Sequence, residues 1–137
     1  MAQSDSLGYR GNAASREKRE VFLCTKEGVI LQRGNIFAEI RPSAEEYTEV
    51  LKADSNTRIE RIVSHGQVSP PGFWYDQNEW EFVVVLHGNA ELETESERIA
   101  MKPGDWVIIP AHERHRVTYT SSTPPCVWLA VFGGMTE

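Results

Sequence analysis

Apolar residues in this chain form short runs between turn residues, a pattern typical of an all-β domain. The clearest predicted strands lie at 58–63, 81–87, 90–95, 98–101, 105–109, 114–120 and 126–132. Weaker strands are predicted at 21–23, 28–31 and 35–40. Short strands at such close intervals indicate a sandwich or a barrel. We therefore predict a single β domain over residues 20–137.

One segment breaks this pattern with helical spacing. Ser43 is a good N-cap residue, and Glu46 follows three residues later, as in a capping box. Three apolar residues then recur at helical intervals, namely Tyr47, Val50 and Leu51. The sequence therefore predicts one short amphipathic helix over residues 44–53.

Size and charge restrict the classes of function. The 137 residues suit one domain and are too few for two. The net charge of −6, without a Lys/Arg-rich face, argues against nucleic-acid or anionic-membrane partners.

No apolar run reaches the ~18 residues that a membrane span needs. Residues 1–19 are polar and without periodicity, which predicts a mobile tail. This segment also lacks the apolar core of a signal peptide, so we expect a cytoplasmic protein.

Two segments place glycine, proline, glutamate and histidine at fixed spacing. In the first, Glu81 is separated by six residues from Gly88. In the second, Gly104 is followed after five residues by Pro110; His112 then occupies the position of a second glycine, and His115 the position of the histidine. These segments resemble the two motifs of the cupin superfamily, G-x5-H-x-H-x3or4-E-x6-G and G-x5-P-x-G-x2-H-x3-N.

The resemblance covers about residues 69–120 and implies the cupin fold. That fold is a double-stranded β-helix, a jelly-roll barrel that often holds one metal ion. The resemblance also implies that Glu81 and His115 face one pocket. A homodimer is expected as well, joined through strand edges or an apolar sheet face, because open sheet edges are usually paired or covered.

The chain departs from the family at the two histidines of the first motif. With three residues before Glu81, these slots fall on Tyr75 and Gln77. With four residues, they fall on Trp74 and Asp76. Neither alignment supplies a histidine, and both stay open at this point. The Trp-Tyr-Asp-Gln segment resembles a subgroup of small bacterial cupins.

The resemblance and the residue types together define a candidate site. One divalent transition metal (Zn, Mn, Fe, Ni or Co) is predicted on Gln77, Glu81 and His115. This oxygen-rich set should bind such metals more weakly than three histidines do. The candidate catalytic residues are Glu81 as a base and Tyr75 as an acid. The predicted substrate-binding residues are Trp74, Tyr75 and Asp76.

Two functions stay open on the sequence alone. The first is a metal-dependent isomerase or lyase that acts on a small carbonyl or sugar-like compound. One histidine is too few for the Fe(II) site of a typical oxygenase. The second is a non-catalytic ligand-binding or structural dimeric cupin with a degenerate metal site. The missing histidines favour it, because catalysis demands a more exacting set of groups than binding does. In that reading Glu81 is a buried carboxylate, paired for example with Arg61.

Overall fold

Antiparallel strands make up the part of the chain that the structure describes. The structure is a computed structural model that describes residues 22–26 and 29–134, with side chains from residue 30 onward. The strands are β1 Phe22–Lys26, β2 Val29–Arg33, β3 Tyr47–Ala53, β4 Thr57–Ser64, β5 Trp80–His87, β6 Ala90–Thr94, β7 Arg98–Met101, β8 Trp106–Ile109, β9 His115–Thr120 and β10 Cys126–Gly133. The all-β prediction is confirmed. The predicted tail, residues 1–19, lies outside the described residues.

Two sheets carry most of the fold. One has five strands in the order β3-β4-β10-β5-β8, and the other has three in the order β7-β6-β9. Strands β1 and β2 form a separate hairpin. The jelly-roll prediction is thus confirmed as two sheets. Within the described residues, however, the strand ladders do not join into one closed barrel. Nor do these residues include a helix long and apolar enough to cross a membrane.

The apolar core lies between the two sheets. Its buried side chains come from both, among them Val85, Leu92, Met101, Val117 and Trp128. The Trp128 indole is enclosed there, and its Nε1 donates a hydrogen bond of 3.1 Å to Ser64 Oγ. Along β5 this core includes Val83, two residues from Glu81. The residues that pair with Glu81 on the neighbouring strands, Phe132 and Ile109, also belong to it.

The helix predicted over residues 44–53 is wrong, because residues Tyr47–Ala53 form strand β3. The backbone hydrogen bonds of this segment go to β4 instead. The pairing shifts register between Val50 and Lys52, so a bulge moves Leu51 out of strand alternation. That extra residue gave the apolar positions their apparent helical spacing.

Local hydrogen bonds explain why residues 43–46 do not begin a helix. The Ser43 hydroxyl accepts a 3.0 Å hydrogen bond from the Glu45 N–H, two residues on, in a local turn. Glu46, which would complete a capping box, instead accepts a 2.6 Å hydrogen bond from Ser64 Oγ. The strand predicted at 35–40 is likewise a turn, in which the Ala38 N–H donates to the Asn35 carbonyl at 3.0 Å.

Candidate functional site

Strand β5 places the Glu81 side chain between the two sheets. Its residues alternate, so that Glu81, Val83 and Val85 are all buried on one face. Pairing with β10 and β8 sets Glu81 between Phe132 and Ile109 in one row across the sheet. The carboxylate therefore lies among apolar neighbours, where a charge needs a nearby partner.

His115 approaches that carboxylate from the first residue of β9, in the opposite sheet. Its Nε2 lies 3.5 Å from Glu81 Oε1, and the two side chains are only 2% and 1% exposed. The other ring nitrogen, Nδ1, lies 2.9 Å from the Glu113 carbonyl oxygen. A carbonyl only accepts, so Nδ1 carries a proton and donates it there. The second ring nitrogen, Nε2, therefore faces Glu81.

In this geometry His115 Nε2 and Glu81 Oε1 can share one proton. Two buried acceptors that face each other repel, unless a proton or a cation lies between them. With a proton on Nε2, His115 and Glu81 become a buried imidazolium–carboxylate pair. Without it, the same two atoms are ready to receive a proton. Such an arrangement suits general acid–base chemistry.

Tyr75 covers one face of the His115 ring. The two backbones form an isolated bridge, in which Tyr75 N–H donates to the His115 carbonyl at 2.7 Å and His115 N–H returns a bond of 3.2 Å. The rings stack with their centroids 5.4 Å apart and their planes 26° from parallel. Phe73 packs edge-on against Tyr75 at 4.8 Å. The tyrosine thus fixes the plane of the imidazole.

The structure does not bring Trp74 and Asp76 to the Glu81–His115 pair. Trp74 packs against the guanidinium groups of Arg114 and Arg116, at 5.2 and 5.4 Å from its ring centroid. Asp76 is exposed and accepts a 2.8 Å hydrogen bond from Nδ1 of His112. Of the two sequence alignments, the structure therefore sets Tyr75 beside His115. Substrate contacts by Trp74 and Asp76 stay predictions.

Gln77 anchors the loop that follows Tyr75. Its backbone carbonyl accepts a 2.7 Å hydrogen bond from the His112 N–H. Its side-chain Oε1 is buried and has no hydrogen-bond partner within the described part of the chain. A buried amide oxygen of this kind is available to a ligand. No contact with Glu81 is shown, so its predicted metal role stays a prediction.

Sequence reasoning missed Glu60 and Arg58, whose side chains lie on the inner side of β4. Arg58 Nε donates to Glu60 Oε2 at 2.6 Å, and its two terminal nitrogens donate to Glu79 at 3.0 and 3.3 Å. The guanidinium also lies 4.1 Å from the Phe132 ring centroid. Burial raises the pKa of Glu60; Arg58 opposes this shift, and the nearby Glu81 carboxylate adds to it.

Arg61, suggested above as a partner of Glu81, lies on the other face of β4. Its Nη2 pairs with Glu49 at 2.7 Å, and its Nη1 donates to the carbonyls of Ile36 and Ala38 at 3.0 and 2.7 Å. Adjacent residues of a strand face opposite ways. That alternation was the available signal, because it groups Glu60, and not Arg61, with inward positions of β4.

The donor set falls short of a usual transition-metal centre. In the part of the chain that is described, no three His, Cys, Asp or Glu side chains are grouped so as to hold a metal ion. His115 and Glu81 supply two donors, whereas catalytic zinc sites usually take three from the protein. The described residues therefore fit such a metal poorly.

Comparisons with known proteins agree with this fold. The sequence profile of the Cupin domain family matches residues 59–132. One similar solved structure comes from Ralstonia eutropha JMP134 and is described as a candidate mannose-6-phosphate isomerase. It is 45% identical in sequence with a TM-score of 0.72, and the match covers 74% of this chain and 96% of that chain. A cupin superfamily protein from Desulfitobacterium hafniense DCB-2 shares the fold at 16% identity, with a TM-score of 0.62 and coverage of 83% and 97%. An uncharacterized protein of Aquifex aeolicus (strain VF5) is 29% identical over 92 residues, 67% of this chain and 74% of that protein.

Proposed function

The chain belongs to the cupin family, and from this premise we propose that it is an isomerase in which Glu81 is the base, Tyr75 is the acid and His115 positions Glu81. The substrate is a small carbonyl or sugar-like compound. The observation that carries the proposal is the 3.5 Å approach of His115 Nε2 to Glu81 Oε1, with Nδ1 held by the Glu113 carbonyl. The Ralstonia protein, 45% identical and described as a candidate mannose-6-phosphate isomerase, supports this class of reaction.

The proposed reaction moves one proton between neighbouring carbons. Glu81 takes the proton from the carbon next to the substrate carbonyl, and the electron pair of that C–H bond moves toward the carbonyl oxygen. The Tyr75 hydroxyl protonates this oxygen, giving an enediol. Glu81 then returns its proton to the other carbon, while the Tyr75 phenolate takes the proton of the hydroxyl on the first carbon, which becomes the new carbonyl. His115, whose Nε2 lies 3.5 Å from Glu81 Oε1, orients the Glu81 carboxylate during the exchange.

Exchange with deuterium tests this proposal directly. The protein is incubated in D2O with small aldoses, ketoses and 2-hydroxy carbonyl compounds, and NMR follows loss of the proton next to the carbonyl. We expect exchange by the wild type and a loss of at least about 100-fold in Glu81→Gln, which removes the base. Glu95→Gln, at an exposed carboxylate, is the matched control. Exchange that survives Glu81→Gln would reject the assigned role.

The alternative is a non-catalytic ligand-binding cupin. The deep burial of His115 and Glu81 favours it, because a reacting carbon must reach two side chains that water hardly reaches. In that case ligands bind and perturb the His115 NMR signals, yet no proton of any compound in the panel exchanges. The same D2O experiment therefore separates the two functions.

We also propose that the protein is a homodimer joined through the outer face of strand β8. This strand is at the edge of the five-stranded sheet, and its side chains Trp106 and Ile108 are 59% and 56% exposed. Phe82 on the neighbouring strand extends the apolar face through its contact with Trp106, at 5.8 Å between ring centroids. Edge strands usually carry protective charges, and β8 has none. A two-fold axis would let one face cover another copy of itself.

A further inference from the structure

A cavity of about 280 Å³ lies on the side of strand β4 that faces away from Glu60. Arg61 lines it, and adjacent residues of a strand face opposite ways. Its lining also includes residues from the end of β2, the turn that follows and the bulge of β3, among them Arg33, Asn35, Ile36 and Leu51. Small-ligand sites usually have volumes of about 300–1,000 Å³. The size of this cavity therefore suits a small molecule.

Arg61 gives the cavity a buried positive charge. Its side chain is only 1% exposed, and its Nη1 donates to the carbonyls of Ile36 and Ala38. Its Nε is buried and has no hydrogen-bond partner among the residues described. A guanidinium carries donors alone, so this N–H needs an acceptor. Even without direct contact, the charge attracts an anion in the cavity, because screening by water is weak at a buried site.

The other polar groups of the lining also favour an anion. Asn35 accepts a 2.8 Å hydrogen bond from the Phe37 N–H through Oδ1, so its amide nitrogen is the end that can donate to a ligand. Arg33 adds a second guanidinium, and no Asp or Glu is among the described residues that line the cavity. Glu49 already offsets part of the Arg61 charge, with 2.7 Å between Nη2 and the carboxylate. One negative charge on the ligand therefore suits the site better than two.

Ile36 and Leu51 add an apolar wall to this polar lining. Leu51 is there because the bulge in β3 takes it out of strand alternation. A ligand that is charged throughout would leave this wall in contact with water, whereas an apolar group would cover it. The lining thus matches a molecule with one anionic end and one apolar end.

From these observations we infer that the outer cavity binds a small monocarboxylate with an apolar chain or ring. The carboxylate faces Arg33, Asn35 and Arg61. The apolar body lies against Ile36 and Leu51. The site goes beyond the proposed function, because none of the proposed catalytic residues lines it.

Isothermal titration calorimetry on the full chain tests the inference with matched ligands. Isovalerate and benzoate are compared with isovaleramide and benzamide, which keep the shape and lack the charge. We expect the carboxylates to bind at least about tenfold more tightly than the amides, because hydrogen bonds to a charged group are stronger. Inorganic phosphate, which has no apolar part, should bind more weakly than either carboxylate. Equal affinity for carboxylates and amides, or tighter binding of phosphate, would overturn the inference.

Two variants test the assigned contacts. Asn35→Asp keeps the oxygen that the Phe37 N–H binds, but it replaces the donor by a negative charge and should weaken benzoate binding at least about tenfold. Asn56→Asp makes the same change at an exposed asparagine outside the cavity and should keep the affinity within about twofold. Leu51→Phe fills the cavity without changing a charge and should also weaken binding. Val68→Phe, at an apolar residue that is 51% exposed, is its control.

The remaining outcomes separate this site from the proposed active site. Glu81→Gln should bind benzoate as the wild type does, and a loss of affinity there would place the ligand beside Glu81 and reject the outer site. Unchanged affinity in Asn35→Asp would reject it as well. If Leu51→Phe does not fold, as judged by its thermal unfolding, Asn35→Asp and the wild-type comparison of carboxylates with amides still decide the point.

Discussion

Tyr75 and His115 are joined twice, through their backbones and through their rings. The backbone groups exchange bonds of 2.7 and 3.2 Å, and the stacked rings lie 5.4 Å apart at 26°. Together with the Glu113 carbonyl on Nδ1, these contacts leave the imidazole little freedom to rotate. Nε2 is consequently held toward Glu81. The aromatic residue that replaces a family histidine thus positions the histidine that is present.

Substitutions at Tyr75 separate its stacking from its hydroxyl. We expect Tyr75→Phe to keep the ring-current shift of the His115 Cε1 proton while lowering deuterium exchange by about 100-fold, because the proposed acid is gone. Tyr75→Leu should lose both the shift and the activity. NMR of the imidazole protons and the exchange assay measure the two effects. Full activity in Tyr75→Phe would show that another group protonates the carbonyl oxygen.

The glycines that end and begin the two motifs differ in what surrounds them. At Gly88 (φ +80°) a Cβ would lie 2.5 Å from the Pro125 carbonyl oxygen and 2.8 Å from Cys126 Cα. At Gly104 (φ +95°) it would meet nothing within 4 Å. Gly104→Ala should therefore cost only backbone strain, about 1–2 kcal/mol of unfolding free energy.

Gly88→Ala should cost more, about 3–5 kcal/mol, because it adds a steric clash with backbone atoms to the same strain. Urea unfolding of the two variants measures the difference. Equal losses at the two glycines would mean that the turn after β5 moves aside easily.

The raised pKa of Glu60 gives a pH dependence of known sign. Burial, only partly opposed by Arg58, keeps this pKa above its ordinary 4.5 in the folded protein. The folded state then holds the proton of Glu60 more tightly than the unfolded state does. The contribution of Glu60 to the free energy of unfolding therefore falls as the pH rises from 4.5 through the raised pKa. Urea unfolding across this range should show a downward slope that is absent in Glu60→Gln. An identical slope in both proteins would contradict the prediction.

Metal binding at Gln77, Glu81 and His115 stays a proposal that elemental analysis can test. The protein is purified without chelator or affinity metal, then soaked with Zn, Mn, Fe, Ni or Co and desalted. Because two of these three ligands are oxygen donors, we expect at most weak retention, lost in His115→Ala. His112→Ala, at an exposed histidine, is the control. One full equivalent that survives His115→Ala would place the metal elsewhere.

The dimer proposal predicts a mass of twice the 15.5 kDa chain in light scattering at micromolar concentration. Trp106→Lys should give the monomer mass, because a charge on the apolar face of β8 opposes its burial. Tyr119, on the other sheet and 50% exposed, provides the matched control. Tyr119→Lys should remain a dimer. A monomeric wild type would remove the proposal.

The sequence predicted the strands from Arg58 onward well, because turn residues and apolar runs are local signals. It failed where one extra residue shifts a pairing. The bulge at Leu51 gave the sequence a helical spacing of apolar residues. A register shift in the β6–β9 pairing likewise leaves Tyr119 exposed, although strict alternation from the buried His115 would bury it. Bulges depend on contacts between strands, which a single sequence does not reveal.

The candidate site was predictable only in part, for a similar reason. Glu81 and His115 stand at motif positions, so spacing alone singled them out. Glu60 belongs to no motif, and only its alternation with Arg61 along β4 indicated that it faces inward. Arg61 was the more prominent cation in the sequence, yet it serves the opposite face.

The inner and outer faces of strand β4 should therefore tolerate substitution differently. Glu60 faces the interior shared with Glu81, whereas Arg61 fastens Glu49 and the carbonyls of residues 36 and 38 on the outside. A lineage that changes residue 60 can alter the polar interior beside Glu81 and leave the outer layer intact. One that changes residue 61 risks the scaffold and gains nothing in chemistry. Related chains with new ligands are expected to vary at the first position and to keep the second.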